Sequence, residues 1–269
     1  MSPSHPTGPR RWQVAAAEAT ILALVLVVFN RLHSAVGTDV SAATANAVAL
    51  QSVERRLHLD VELAANHWLS AHEVLVAPAV LGYRLYYVVV LGVLVWVFLR
   101  HFEVYLRARR TFVAMACLAL VVFWALPMSP PRFSLPGTVD IIAENDVVGG
   151  RASRDPSNGQ NHFSAVPSLH VGWSAWCAYV VWSALRGTHP RAALLAWVFP
   201  LTMVADVIAT GNHYVLDAVG SGVLLVASIG TATAWSRLVD RDGHGGSRAG
   251  RGRGGGRARS RGTPARDSP

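Results

Sequence analysis

The sequence contains no lysine: all 24 of its basic residues are arginine. Any motif that depends on a lysine is therefore excluded. Charge of either sign is scarce, 15% of the chain against about 25% in a soluble globular domain. With 52% hydrophobic residues and a mean hydropathy of +0.32, this scarcity excludes a disordered protein and argues against an ordinary soluble enzyme. Only two cysteines are present, Cys117 and Cys177, each inside an apolar run. They support neither a disulfide framework nor a cysteine-based zinc site and read as small buried apolar side chains. The net charge of +8 does not point to nucleic acid. Residues 241–269 hold eight Arg and two Asp, contributing +6, so the rest of the chain contributes +2. That Gly/Arg-rich tail reads as a disordered segment attracted to anionic lipid, with RNA binding as the alternative.

What is abundant is apolar sequence. Runs cover residues 14–29, 85–99 with an extension upstream through 77–82, 111–126, 170–185, 192–210 and 214–235, each near the length that crosses a bilayer. Arg10 and Arg11 precede the first run, as in a signal peptide. Asn30, Arg31 and His33 follow it with no small-residue cleavage site, so a retained span is expected. Arg100, Arg107, Arg109 and Arg110 form a basic stretch before the third run, which stops at Pro127, Pro130 and Pro131. Pro200 is expected to kink the fifth. Between the first two runs, Val48, Leu50, Val53, Leu57, Val61 and Trp68 recur at helical spacing around Glu54, Arg55 and Arg56, which reads as an amphipathic helix lying at the interface. Residues 132–166 form a polar loop long enough to suggest function. The expected fold is all-α: an integral-membrane six-helix bundle with an interfacial amphipathic helix and a disordered C-terminal tail. Its parts are a cytoplasmic N-tail (1–12), a membrane domain (13–238) and a cytoplasmic tail (239–269). With the N-terminus in the cytoplasm, 17 Arg fall inside and seven outside, in keeping with the positive-inside rule.

Span parity also brings polar residues together. Arg132 follows the third run and His170 opens the fourth. His213 lies between the fifth and sixth, and Asp217 is one helical turn beyond it. All four are expected at the outer face. A carboxylate bonded to one imidazole nitrogen orients the ring and makes the other more basic. A second His can protonate a leaving group, and a guanidinium fork matches phosphate oxygens. The set suits phosphoryl transfer. Other readings of the same residues are boundary histidines, zinc held by two His and an Asp, and an arginine that caps a helix or binds head groups. Asp206 and Glu18 are ionisable groups inside spans, hence functional candidates, and would serve a proton-coupled transporter. Tyr83 and Tyr86 flank Arg84 and can line a mouth or an aromatic belt.

The segment Phe163-Ser164-Ala165-Val166-Pro167-Ser168-Leu169-His170 resembles the second motif of the type 2 phosphatidic acid phosphatase superfamily, and Gly211-Asn212-His213-Tyr214-Val215-Leu216-Asp217 resembles the third. Pro130-Pro131-Arg132 stands where the first motif ends. The resemblance covers roughly residues 80–235. It implies that His213 is a nucleophile forming a phosphohistidine, that Asp217 orients it, that His170 protonates the leaving oxygen, and that Arg132 and Ser168 hold the phosphate, with no metal or other cofactor. The implied substrate is a membrane lipid phosphate, with a second lipid or an alcohol as possible acceptor and no nucleic acid. The family's first-motif Lys is absent here, Leu169 stands in place of a Gly, and Asp206-Val207 stand in place of Ser-Arg. The Leu169 form and the short His-Tyr-x-x-Asp form resemble the inositol phosphorylceramide synthase branch, whose members transfer a phospho-head-group. Arg84, Arg151 and Arg154 are candidates to replace the missing cations. The same departures leave room for an inactive lipid-binding scaffold.

Overall fold

The computed structural model describes the backbone of residues 10–145 and 161–251, and the side chains of residues 12–145 and 161–239. Eleven helices follow in order: α1 (Arg10–Ala35), α2 (Val40–Leu57), α3 (Glu62–Ser70), α4 (Glu73–Arg100), α5 (Phe102–Ala125), α6 (Pro131–Ser134), α7 (Ile141–Glu144), α8 (Leu169–Leu185), α9 (Pro190–Leu195), α10 (Val198–Ala209) and α11 (Val215–Arg251). Among the described residues the extended pairing is one isolated parallel bridge, Met128 with Ser164. The chain divides into two compact units, 1–232 and 233–269. The second begins inside α11, which stays helical through Arg251, past the expected start of a disordered tail at 239; residues 252–269 and the N-tail through residue 9 lie outside the described residues.

Five segments are long and apolar enough to cross a membrane: Trp12–Ala35, Glu73–Arg100, Phe102–Ala125, Pro190–Ala209 and Val215–Val239. This is a multi-pass membrane protein by composition and length. The remaining expected span, α8, has 17 residues, at the short end of the roughly 17–25 residues that span a bilayer. Many outward-facing side chains of these helices are large and apolar. On α11, Val219, Val223 and Val226 are 56%, 66% and 71% exposed, an i, i+4, i+7 stripe that water would not tolerate and lipid does.

The structure places the basic stretch at 100–110 and changes two local expectations. The turn between α4 and α5 is His101 alone, and Arg107, Arg109 and Arg110 sit in the first turns of α5, because arginine is a good helix former. The fifth apolar run is broken at Ala196 and Trp197, not at Pro200, which lies in the first turn of α10, where a missing backbone N–H costs nothing. Cys117 faces outward, whereas Cys177 is buried.

The core centres on α8, whose Trp176, Cys177 and Val180 are buried among α4, α5 and α11 and whose Val171 packs on Met203, Val207 and Ile208 of α10. Trp176 Nε1 donates to the Ala108 carbonyl at 3.2 Å. The segment read as an interfacial amphipathic helix forms α2 and α3, and α2 keeps its polar face toward the protein. Its buried face is Ala43, Ala47, Gln51 and Glu54, while Val48, Val53 and Leu57 point outward. In a bilayer the apolar face has no reason to turn inward, and the polar face is the one with partners in the protein. Asn46 Nδ2 donates to the Pro127 carbonyl at 2.8 Å, and Gln51 Nε2 donates to the Tyr214 hydroxyl at 3.0 Å.

Candidate active site

Backbone hydrogen bonds stitch the three motif segments together. Met128 N donates to the Phe163 carbonyl at 2.7 Å and Ala165 N to the Met128 carbonyl at 3.2 Å. Arg132 N donates to the Gly211 carbonyl at 2.9 Å. Ser221 Oγ, on α11, donates to the Ser168 carbonyl at 2.8 Å, so the helix after His213 is fastened to the start of the helix that carries His170.

Gly211 ends α10 in the left-handed region, with φ of +74°, and a Cβ there would lie 2.6 Å from Thr138 Cγ2. Only glycine meets both conditions. The turn lets the N–H groups of Asn212 and His213 fold back onto the Val207 carbonyl at 3.0 and 3.1 Å, and His213 is thereby aimed back toward α8. Its Nδ1 lies 2.9 Å from the Ala165 carbonyl and 3.2 Å from Asp217 Oδ2. Both neighbours are acceptors, so Nδ1 carries the proton and Nε2 of the neutral ring carries the free lone pair. Asp217 is 0% exposed and also accepts from Tyr214 N at 2.8 Å. Because His213 and Asp217 bond to each other, they do not aim at a common point as zinc ligands would.

Arg132 reaches the same place from α6. Its Nη1 donates to Asn212 Oδ1, its Nε is 3.7 Å from Asp140 Oδ2, and its guanidinium lies over the Phe133 ring at 4.7 Å. Such a held fork is oriented before an anion arrives. His170 stacks on Tyr83 and meets Tyr86 at a tilt, with ring centroids 4.1 and 4.3 Å away, and its own centroid is 6.0 Å from that of His213. Among the described residues, neither ring nitrogen of His170 has a hydrogen-bond partner. A cavity of about 300 Å³ is lined by His170, His213, Asn212, Arg132, Tyr83 and Tyr86, and on its other side by residues of α1 and of the segment before α8. The convergence expected from span parity is present, and the two tyrosines line this mouth.

Ser168 is placed differently from the phosphate-binding role implied for it. Its hydroxyl caps α8, accepting from Val171 N at 3.4 Å, and the residue is fully buried outside the cavity lining. Arg84 does not line the cavity either, and Arg151 and Arg154 lie outside the described residues. Among the described residues Arg132 is the arginine at the cavity wall. Glu18 is engaged elsewhere, bonded to Arg109 Nη1 and accepting from the Tyr105 hydroxyl at 2.8 Å. Asp206 borders a separate groove of about 370 Å³, with Oδ1 buried and without a hydrogen-bond partner among the described residues.

Three carboxylates close the start of α11. Alongside Asp217, Glu62 Oε1 accepts from Val215 N at 3.0 Å and Glu54 Oε1 accepts from Leu216 N at 2.8 Å. These are the N–H groups that a helix start leaves open. Glu54 is fully buried. Burial, reinforced by the neighbouring Glu62 and Asp217 carboxylates and opposed by the Leu216 N–H, pushes Glu54 up to about 8. Sequence reasoning missed Glu54 and Glu62 as supports of the site.

A family model described as the PAP2 superfamily matches residues 48–231, more than half of the chain. The chain belongs to the PAP2 superfamily. Members of this superfamily are phosphatases and phosphotransferases, and the superfamily acts on lipid phosphates. No curated protein and no solved structure matches the chain. Within the PAP2 match lie Arg132, His170, His213 and Asp217, together with Glu54 and Glu62; α1 lies before it.

Proposed function

We propose that this chain is a lipid-phosphate phosphatase or phosphotransferase working through a phosphohistidine at the outer membrane face, with α8 as the sixth span. The observation that carries the reading is the double acceptor at His213 Nδ1, which leaves Nε2 as the nucleophilic atom beside a cavity that also holds His170 and Arg132.

His213 Nε2 attacks the phosphorus of the bound lipid phosphate. As the Nε2–P bond forms, the bond from phosphorus to the lipid oxygen breaks, and that oxygen takes a proton from His170. Arg132 holds the charge on the non-bridging oxygens. Asp217 stabilises the positive charge that develops on the His213 ring. In the second half, His170 accepts a proton from water or from an alcohol as its oxygen bonds to phosphorus and Nε2 leaves. Water makes the enzyme a phosphatase and an alcohol makes it a phosphotransferase, with the head-group transfer of the inositol phosphorylceramide synthase branch as the specific transferase form. Every group in this sequence is a side chain of the protein, and no metal or cofactor is invoked.

The test is phosphate release by the purified full-length protein across a panel of lipid phosphates. Release that is lost in His213→Ala supports the reading. No turnover of any lipid, or turnover unchanged in His213→Ala, overturns it.

A further inference from the structure

The two histidines of the site are held in different ways. His213 is fixed by hydrogen bonds, with two acceptors at Nδ1. His170 is fixed by ring faces. It stacks on Tyr83 with planes 22° apart and meets Tyr86 with planes 44° apart, at centroid distances of 4.1 and 4.3 Å. Both contacts are ring on ring, and both are closer than the roughly 4.5–7 Å usual between aromatic side chains.

Helical spacing builds this arrangement. Tyr83 and Tyr86 are three residues apart on α4, and His170 and Trp173 are three residues apart on α8. Each pair therefore shares one face of its helix. The contacts alternate between the two helices, from Tyr83 to His170, to Tyr86, to Trp173, the last pair 6.2 Å apart with planes 24° apart. Trp173 is in turn stacked on Phe112 of α5 at 5.3 Å, and Phe112 is buried in the core. Tyr83 and Tyr86 also pack on the buried cluster of Val171, Met203, Val207 and Ile208. Neither tyrosine can swing away from His170 without opening that packing.

The two ways of holding suit two different tasks. A nucleophile needs one fixed tautomer, which hydrogen bonds provide. A group that gives a proton in one half of a reaction and takes one back in the other needs its ring plane fixed and its nitrogens uncommitted. Ring faces do both. They also offer π-electron density to an imidazolium, whose charge the nearby Arg132 and Arg84 repel.

We infer that Tyr83 and Tyr86 are positioning residues for His170: an aromatic clamp on α4 that sets the plane of the proton-transferring ring and stabilises its charged form. The role of His170 in this inference rests on the proposed function, whereas the clamp itself can be observed without it. Both tyrosines also line the cavity, so direct contact with the substrate is the rival role that the test separates.

The first measurement needs no turnover. Full-length protein with labelled histidine is observed by NMR in detergent, and the His170 ring protons are assigned by their loss in His170→Ala. Protons lying over aromatic faces are shielded. These signals are expected upfield of a free histidine in the wild type, in Tyr83→Phe and in Tyr86→Phe, and are expected to move downfield in Tyr83→Leu and Tyr86→Leu. Signals at the free-histidine position in the wild type, or unmoved in both leucine variants, overturn the inference. The second measurement is turnover of a lipid phosphate. Each leucine variant is expected to lower kcat by about tenfold with little change in KM, and each phenylalanine variant to restore it. In a His170→Ala background the leucine substitutions are expected to cost little more. A full loss in that background, or a loss confined to KM, places the rings on the substrate and overturns the inference. Melting temperatures identify any variant that fails to fold, and the wild-type spectrum carries the geometric test without them. Turnover that depends on His213 but is indifferent to the loss of either ring defeats this inference alone. A clamped His170 signal with no turnover dependent on His213 defeats the proposed reaction alone.

Discussion

The Oδ2 of Asp217 lies 3.2 Å from His213 Nδ1 and also accepts from the backbone N–H of Tyr214 at 2.8 Å. A carboxylate held by the start of its own helix cannot swing away from the ring it orients, so the pair acts as a unit. Replacing Asp217 with Asn keeps an acceptor near Nδ1 and removes the charge that balances a forming imidazolium. In Asp217→Asn, kcat is expected to fall by about 10²–10⁴ with little change in KM. Steady-state kinetics on a short-chain lipid phosphate read this directly. A loss confined to KM would assign Asp217 to binding instead.

Glu54 sets a pH dependence of stability. Its pKa in the folded protein is raised from 4.5 to about 8, first by burial and then by Glu62 and Asp217. Between those values the folded state holds a proton that the unfolded state releases. Stability from this group is therefore fully present below about 4.5 and falls as pH rises toward about 8. Glu54→Gln keeps an oxygen to accept from Leu216 N and cannot ionise. Its melting temperature relative to wild type is expected to rise from pH 5 to pH 9. A difference that is flat in pH contradicts the assignment.

Asp206 separates the enzyme from a proton-coupled transporter. It lies outside the His213 cavity, bordering an apolar groove with one oxygen buried and unbonded among the described residues. Asp206→Asn is expected to leave phosphate release unchanged. It is also expected to raise the melting temperature, by an amount on the order of 1 kcal/mol in stability, because a neutral amide is cheaper to bury than a carboxylate. A loss of activity as large as that of His213→Ala would move Asp206 into the machinery.

Much of this site is legible in the chain because it is assembled from helix ends. Parity of apolar runs places Arg132, His170 and His213 at one end of a bundle, and the His-x-x-x-Asp spacing needs only one helical turn. The supports are less legible. Glu54 sits beside Arg55 and Arg56 on a helix read as interfacial, so it reads as a solvated charge; the packing of α2 instead buries it against the start of α11. His33 is a single polar residue at the end of an apolar run, and its partner Ser164 is 131 positions away in sequence. Ser168 carries a motif position, yet its hydroxyl caps α8, a local demand that a motif does not display. The break at Ala196 and Trp197 has no proline or glycine to announce it, whereas Pro200 sits where a helix start accepts it.

The central claim is that His213 Nε2 becomes covalently bound to phosphorus, and it is tested by trapping. Full-length protein is mixed with lipid phosphate carrying labelled phosphorus, quenched in alkali and digested, and the labelled peptide is sequenced by mass spectrometry. The account predicts an acid-labile, alkali-stable label on the peptide containing His213, absent from His213→Ala. Turnover of the lipid with no label at His213, or a label that persists in His213→Ala, contradicts it.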